Sequence, residues 1–165
     1  MNVLIINGSG SIGSELVKIG SSLGYNIFYT SNRAEEGNNH NCINWSYSGS
    51  ESVVNLFEIL KDKYSEIDAV ANCLGSIFIK PAHLTSEDDL DKTLDINLKS
   101  SFFILKETIP LMRKNGGNIL FFSSAAAKIG LANHEAIAAA KGGLEGLVKS
   151  AAATYAKNNI RINAI

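Results

Sequence analysis

The sequence predicts one α/β domain, doubly wound, with a parallel sheet of about six strands between two helical layers. Three observations carry this reading. Short apolar runs alternate with longer segments of helical period along the whole chain. The runs are near-continuous Ile, Val, Leu and Phe, the pattern of strands covered on both faces. The 165 residues, 45% of them hydrophobic, make a single domain over 1–165 that can bury a core without metals or disulfides.

Residues 2–7 (NVLIIN) read as a buried strand and 12–23 (IGSELVKIGSSL) as the helix after it. Residues 26–30 (NIFYT) are the second strand. Residues 31–49 are rich in Asn, Ser and Gly, and a short strand at 42–45 is the weakest element. A helix over 50–64 (SESVVNLFEILKDKY) leads to a strand at 67–73 (IDAVANC). The next helix starts near Ser86, because Thr85-Ser86-Glu87-Asp88-Asp89 supplies an N-cap and first-turn acids. It runs to Met112, with Leu90, Leu94, Leu98 and Leu105 as its buried stripe. Pro110 removes one N–H, so a kink or an early end is expected there. A strand at 118–123 (NILFFS), an Ala-rich helix at 133–157 and a strand at 160–165 (IRINAI) complete the order.

Charge and composition narrow the function. With 15 basic and 16 acidic side chains, the net charge of −1 offers no footprint for a nucleic-acid backbone. No apolar run approaches the ~18 residues of a membrane span. The apolar start lacks a preceding basic segment and meets Gly and Ser at once, so it reads as a strand and not a signal peptide. Cys42 and Cys73 are isolated, and with His40, His83 and His134 they show no zinc spacing. No metal is expected, and a reducing, cytoplasmic setting is.

In parallel sheets of this kind ligands bind beyond the carboxyl ends of the strands, and each candidate motif falls at such an end. Gly8-Ser9-Gly10-Ser11-Ile12-Gly13 fits G-x-G-x-x-G between a strand and a helix. Glycine permits the tight turn, the approach of a pyrophosphate to the backbone and close helix–strand packing, while the helix N-terminus offers free N–H groups to phosphate. The second strand ends in Thr30-Ser31-Asn32-Arg33, with no carboxylate for a ribose 2′-hydroxyl and an arginine that suits a 2′-phosphate. This places NADP ahead of NAD. A solvated loop arginine is the bland alternative. Asn72 and Gly75 end the 67–73 strand and could border a ligand; Cys73 reads as a small core residue. Asn97 adjoins the apolar stripe of its helix, where an amide needs a partner, and tying the helix to a neighbouring loop is its ordinary explanation. Ser123 and Ser124 end another strand. Lys141 lies within the apolar face marked by Ile137, Leu144, Val148 and Tyr155, so it must snorkel or meet a ligand.

Together these residues resemble the short-chain dehydrogenase/reductase family, in the family's order and over essentially the whole chain. The glycine segment resembles its cofactor loop, although one residue shorter than the family's usual Gly-x-x-x-Gly-x-Gly. Asn72-Cys73-Leu74-Gly75 looks like a variant of its Asn-Asn-Ala-Gly segment. Asp95-Ile96-Asn97-Leu98 matches the segment with the active-site Asn, and residues 118–124 match the strand delivering the catalytic Ser, placed at Ser124. Residues 139–147 and 160–165 resemble the following helix and strand. The resemblance implies a Rossmann fold, Ser124, Lys141 and Asn97 as catalytic residues, and Lys141 also as a cofactor contact. It further implies a small-molecule substrate and a homodimer or homotetramer, paired through the helices that carry Asn97 and Lys141. Alanines and glycines on the second of these helices (Ala136, Ala138, Ala139, Ala140, Gly142, Gly143) would allow close approach; packing on its own sheet would use them equally well.

One departure alters the chemistry. The family's pair is Tyr-x-x-x-Lys, and here the tyrosine position is Ile137. Isoleucine neither donates nor accepts a proton, and a positioned acid or base is worth ~10²–10⁴ in rate. His134 and a water held by Ser124 and Lys141 are possible replacements; Tyr155, more than three turns further on, is not. Two functions therefore compete: an oxidoreductase with a rearranged proton donor, and a non-catalytic nucleotide-binding or scaffold protein. The resemblance also ends at the sixth strand, where the family continues with a substrate-covering helix and a seventh strand. It implies an incomplete chain, with one sheet edge and the cofactor's nicotinamide side uncovered; for a chain complete as given, apolar surface exposed along 160–165 is expected.

Overall fold

The computed structural model describes residues 1–33, 41–64 and 66–165. His40 lies outside them. The six strands are β1 (Asn2–Ile6), β2 (Asn26–Ser31), β3 (Cys42–Asn44), β4 (Ala69–Asn72), β5 (Gly117–Phe121) and β6 (Ile160–Ala164). They form one parallel sheet in the order β3-β2-β1-β4-β5-β6. Strand order therefore reverses between β1 and β4. Ile6 pairs with Asn72, so Asn7 and Cys73 leave the sheet side by side at that switch point, where such folds bind ligands.

Helices cover both faces. On one face α1 (Ser11–Ser22) packs its Leu16 and Val17 over Ile5, Ile27, Tyr29 and Ala71. On the other, α2 (Ser50–Lys63), α4 (Ser100–Met112) and α6 (Glu135–Tyr155) bury the larger core, in which Phe28, Phe57 and Phe121 are fully enclosed. Each such side chain contributes about 1.5–3 kcal/mol through loss of apolar surface from water. The two-residue period of the strands divides the cores: Leu4 and Ile6 face one, Ile5 the other.

The expected helix from Ser86 to Met112 is three segments. Ser86 caps α3 (Glu87–Leu94) through a capping box: its Oγ accepts from Asp89 N at 3.2 Å, and Ser86 N donates back to the Asp89 carboxylate at 3.4 Å. A π-helical turn follows at Asp95–Lys99, then α4. The wider turn sits where Asn97 points inward and is fully buried. Pro110 does not end the helix; it is exposed in the last turn, which continues to Met112. Of the expected stripe, Leu105 is buried, Leu94 and Leu98 are half-buried and Leu90 is 37% exposed; Thr93 and Asn97 take the inward positions before α4. Two short pieces were not expected from the sequence, a 3-10 turn at Ala82–Leu84 and α5 (Ala126–Ile129); helices this short leave little periodicity to read.

The expectation of apolar exposure along 160–165 is corrected. Ile160 and Ile162 are 1% and 3% exposed because they point into the larger core, and Ile165 alone of the three isoleucines is open, at 71%. Arg161 and Asn163 face the other side, where Arg161 Nε donates to Asn118 Oδ1 at 2.8 Å.

Candidate active site

The glycine segment forms the turn from β1 into α1. Gly10 N donates to Asn7 O at 3.1 Å, and Gly8 N to Thr30 O on β2 at 2.8 Å. The three glycines have separate steric reasons. A Cβ on Gly8 would lie 2.5 Å from Tyr29 Cβ, one on Gly10 2.9 Å from the Asn7 amide nitrogen, and one on Gly13 2.3 Å from the Asn7 carbonyl oxygen. Gly10 occupies the N-cap of α1 and no side chain caps this helix. The leading amides of Ser11, Ile12 and Gly13 therefore have no acceptor within the helix and suit a phosphate. These features fit a dinucleotide pyrophosphate.

Arg33 and Asn32 are exposed just past β2. Arg33 joins Gly8, Ser9, Ser14 and Ser31 around a cavity of about 310 Å³ beside the glycine turn. Ser31 Oγ and the backbone of Arg33 bond at 3.1 Å, which fixes the chain direction there. Among the described residues, no carboxylate lines this cavity.

The next cluster joins β4, the π-helical turn and α6. The side chain of Asn72 is 2% exposed and committed: its amide donates to Ser101 Oγ at 3.1 Å and its oxygen accepts from Leu74 N at 3.1 Å. It holds the strand end to α4 and offers no free side-chain group to a ligand. Asn97 accepts from Ser76 N at 3.1 Å and donates to Ser76 Oγ at 3.1 Å and Thr93 O at 3.0 Å. It thus ties the helix to the loop after β4, as its ordinary explanation required. A Cβ on Gly75 would stand 3.0 Å from Asn97 Oδ1 and 3.6 Å from Lys141 Nζ, so the bare glycine lets these three positions converge.

Lys141 is 8% exposed and donates to Phe122 O at 2.8 Å. No carboxylate pairs with it among the described residues. Burial pushes its pKa below the ordinary lysine value, because a low-dielectric site disfavours the ammonium form. Ser124 lies two residues beyond Phe122, and its Oγ accepts from Ala126 N at 3.2 Å, starting α5. Ser123 donates to the Glu145 carboxylate at 2.8 Å. A cleft of about 600 Å³ opens beside Ser124, between α6 and β6. Neither Lys141 nor Asn97 lines it.

Ile137, one turn before Lys141, is 5% exposed and presents only hydrocarbon. His134 sits at the N-cap position of α6 without a side-chain cap bond, and its Nδ1 bonds Ala132 O at 2.7 Å. Tyr155 packs against the larger core. Burial pushes the Cys73 thiol up to about 12, in keeping with a small core residue. The sequence reading did not single out Asn7 or Ser76; the signal for Asn7 is its place at a strand end before glycine, where a positive φ is common for Asn.

Comparison with known proteins agrees with this geometry. A family model described as enoyl-(acyl carrier protein) reductase matches residues 10–165. A 3beta-hydroxysteroid dehydrogenase of Mediterraneibacter gnavus is 30% identical over 154 residues, which cover 93% of this chain and 56% of that protein. A hydroxynaphthalene reductase-like protein of Metarhizium anisopliae is 29% identical over 177 aligned residues, covering 99% and 66%. The chain therefore spans between 56% and 66% of the length of these two relatives. Among solved structures, a short chain dehydrogenase from Leptospira borgpetersenii with bound NAD+ superposes with a TM-score of 0.88 at 25% identity, covering 99% of this chain and 68% of that one. A variant of ElxO with NADPH bound gives 0.90 at 24% identity, covering 99% and 71%. With the parallel six-stranded sheet and the glycine turn at its switch point, these matches establish that the chain belongs to the short-chain dehydrogenase/reductase family.

Proposed function

We propose that this protein is an NADP(H)-dependent oxidoreductase. It would transfer a hydride to or from a carbonyl, an alcohol or a related small molecule, with a proton donor other than tyrosine. The observation that supports the cofactor choice is the cavity shared by Arg33 and Ser9 beside the glycine turn, with no carboxylate among the described residues of its lining. A guanidinium and the Ser9 hydroxyl suit a 2′-phosphate, whereas a ribose 2′-hydroxyl is usually met by an acid.

Bound nicotinamide would supply or take the hydride. The chain's own residues would do the rest. The leading amides of α1 hold the pyrophosphate. Gly75 keeps space between Asn97 and Lys141, and Lys141 hydrogen-bonds a ribose while Ser124 orients the substrate oxygen, roles that come from the family resemblance. Proton delivery falls to a water held between Ser124 and Lys141, because Ile137 has none to give. Substrates that stabilise negative charge on oxygen, such as conjugated carbonyls, suit this weaker acid best.

Arg33→Ala is expected to weaken NADPH binding roughly 10–100-fold, the loss of a charge-assisted pair, with NADH within about threefold of wild type. Calorimetric titration measures both. Equal loss for the two cofactors would overturn the assignment of Arg33 to the 2′-phosphate.

The buried Ile137 favours a second reading, a nucleotide-binding protein without catalysis. It predicts the same NADPH affinity and no turnover over a panel of carbonyls and enones. A homodimer or homotetramer paired through α4 and α6 belongs to the proposal as well. Phe102 on α4 is 51% exposed, and nothing lies within 4 Å of where Cβ atoms would stand at Gly142 and Gly146 on α6. Gly143, by contrast, already packs on Leu98. Light scattering is expected to give two or four times the chain mass; a monomer at micromolar concentration would refute the pairing. A cytoplasmic setting, read from two isolated cysteines, completes the proposal.

A further inference from the structure

The cleft of about 600 Å³ beside Ser124 is of a size that takes a small molecule. Its lining divides by chemistry. Val148 and Ala152 of α6 and Ile162 of β6 present hydrocarbon, while Lys128 of α5 and Lys149 of α6 bring two ammonium groups against one side-chain carboxylate, that of Glu145. Lys149 stands four residues after Glu145, the spacing at which a helix pairs opposite charges. That pair is not made. The Glu145 carboxylate accepts from Ser123 Oγ at 2.8 Å instead, and neither Lys149 nor Lys128 meets a carboxylate among the described residues. Both lysines are exposed, so their charge is open to an anion that enters the cleft from solvent.

We propose that Lys128 and Lys149 determine substrate specificity, and that the substrate is an acid: a carbonyl compound or alcohol with an apolar body that also bears a carboxylate. The inference rests on the proposed oxidoreductase, with Ser124 as the residue that orients the substrate oxygen. With that oxygen at Ser124, the body lies along Val148, Ala152 and Ile162, and the carboxylate meets the two ammonium groups. Glu145, held by Ser123, repels a carboxylate from the strand end and so favours the lysine end of the cleft. A neutral ester of the same shape keeps the apolar contact and loses the ion pairs.

The test is calorimetric titration of the full chain, alone and with NADP+, using two acids and their methyl esters: para-acetylbenzoate, with an aromatic body, and levulinate, with an aliphatic one. Each acid is expected to bind about tenfold tighter than its ester, the effect of two exposed ion pairs. Raising salt to roughly 0.5 M should bring acid and ester together, because exposed pairs are screened. The double variant Lys128→Gln, Lys149→Gln keeps side-chain length and removes both charges. It is expected to weaken the acids about tenfold and to leave the esters within about threefold. The salt series on the wild-type chain serves if that variant fails to fold. Equal affinity for acid and ester, no binding of either acid, or a preference for acid that survives both substitutions or high salt overturns the inference and leaves the proposed function standing. The proposed function is judged separately, by titration with NADPH and NADH: binding of neither overturns that reading, while the acid–ester comparison on the chain alone needs no cofactor.

Discussion

Ile137→Tyr is expected to raise NADPH-dependent carbonyl reduction by about 10²–10⁴-fold, the range a positioned general acid contributes. Residue 137 lies four residues before Lys141 on one face of α6, and both are buried. A phenol introduced there would stand next to an amine already oriented by its bond to Phe122 O. The amine's lowered pKa comes from burial. A neighbouring ammonium would in turn favour ionisation of the phenol. The larger ring costs about 1–3 kcal/mol of stability through overpacking, so melting temperature is measured with the rate. Initial rates of NADPH oxidation with a panel of ketones and enones give the result. A folded Ile137→Tyr protein that binds NADPH and gains no rate would mean that Ser124, Lys141 and Asn97 are not arranged for catalysis.

Gly13→Ala is expected to have the largest structural effect. Its Cβ would stand 2.3 Å from Asn7 O and 2.7 Å from Gly8 Cα, backbone atoms that cannot rotate away. The helix must move off the strand end, at a cost of about 1–3 kcal/mol or more. NADPH binding should fall below detection at the same time, because the displaced atoms are the ones proposed to hold phosphate. Gly142→Ala makes the control. Nothing lies within 4 Å of its Cβ, and alanine in a helix interior gains about 0.5–1 kcal/mol over glycine. Thermal melts of the two variants should move in opposite directions. A stable Gly13→Ala protein that still binds NADPH would contradict the account of the turn.

The sheet and its helices were legible because their signals are local. Apolar runs marked β1, β2, β4, β5 and β6, and the Ser86 cap with its acids marked the start of α3. The glycine turn was legible because each glycine answers a separate steric demand. What escaped the sequence depended on distant partners. The π-helical turn at Asp95–Lys99 coincides with the bonds of Asn97 to a loop about twenty residues earlier, which periodicity does not record. Asn72 looked open to a ligand until Ser101 and Leu74 accounted for its polar atoms. The last strand was expected to expose its apolar side chains, yet its two-residue period turns Ile160 and Ile162 into the larger core.

The account's central claim is that this chain binds NADP(H) through the glycine turn and Arg33. Calorimetric titration of the wild-type chain with NADPH and with NADH tests it most directly. The account predicts one site per chain, micromolar or tighter affinity for NADPH, and at least tenfold weaker binding of NADH. Tighter binding of NADH would contradict the role of Arg33, and no binding of either cofactor would contradict the claim as a whole.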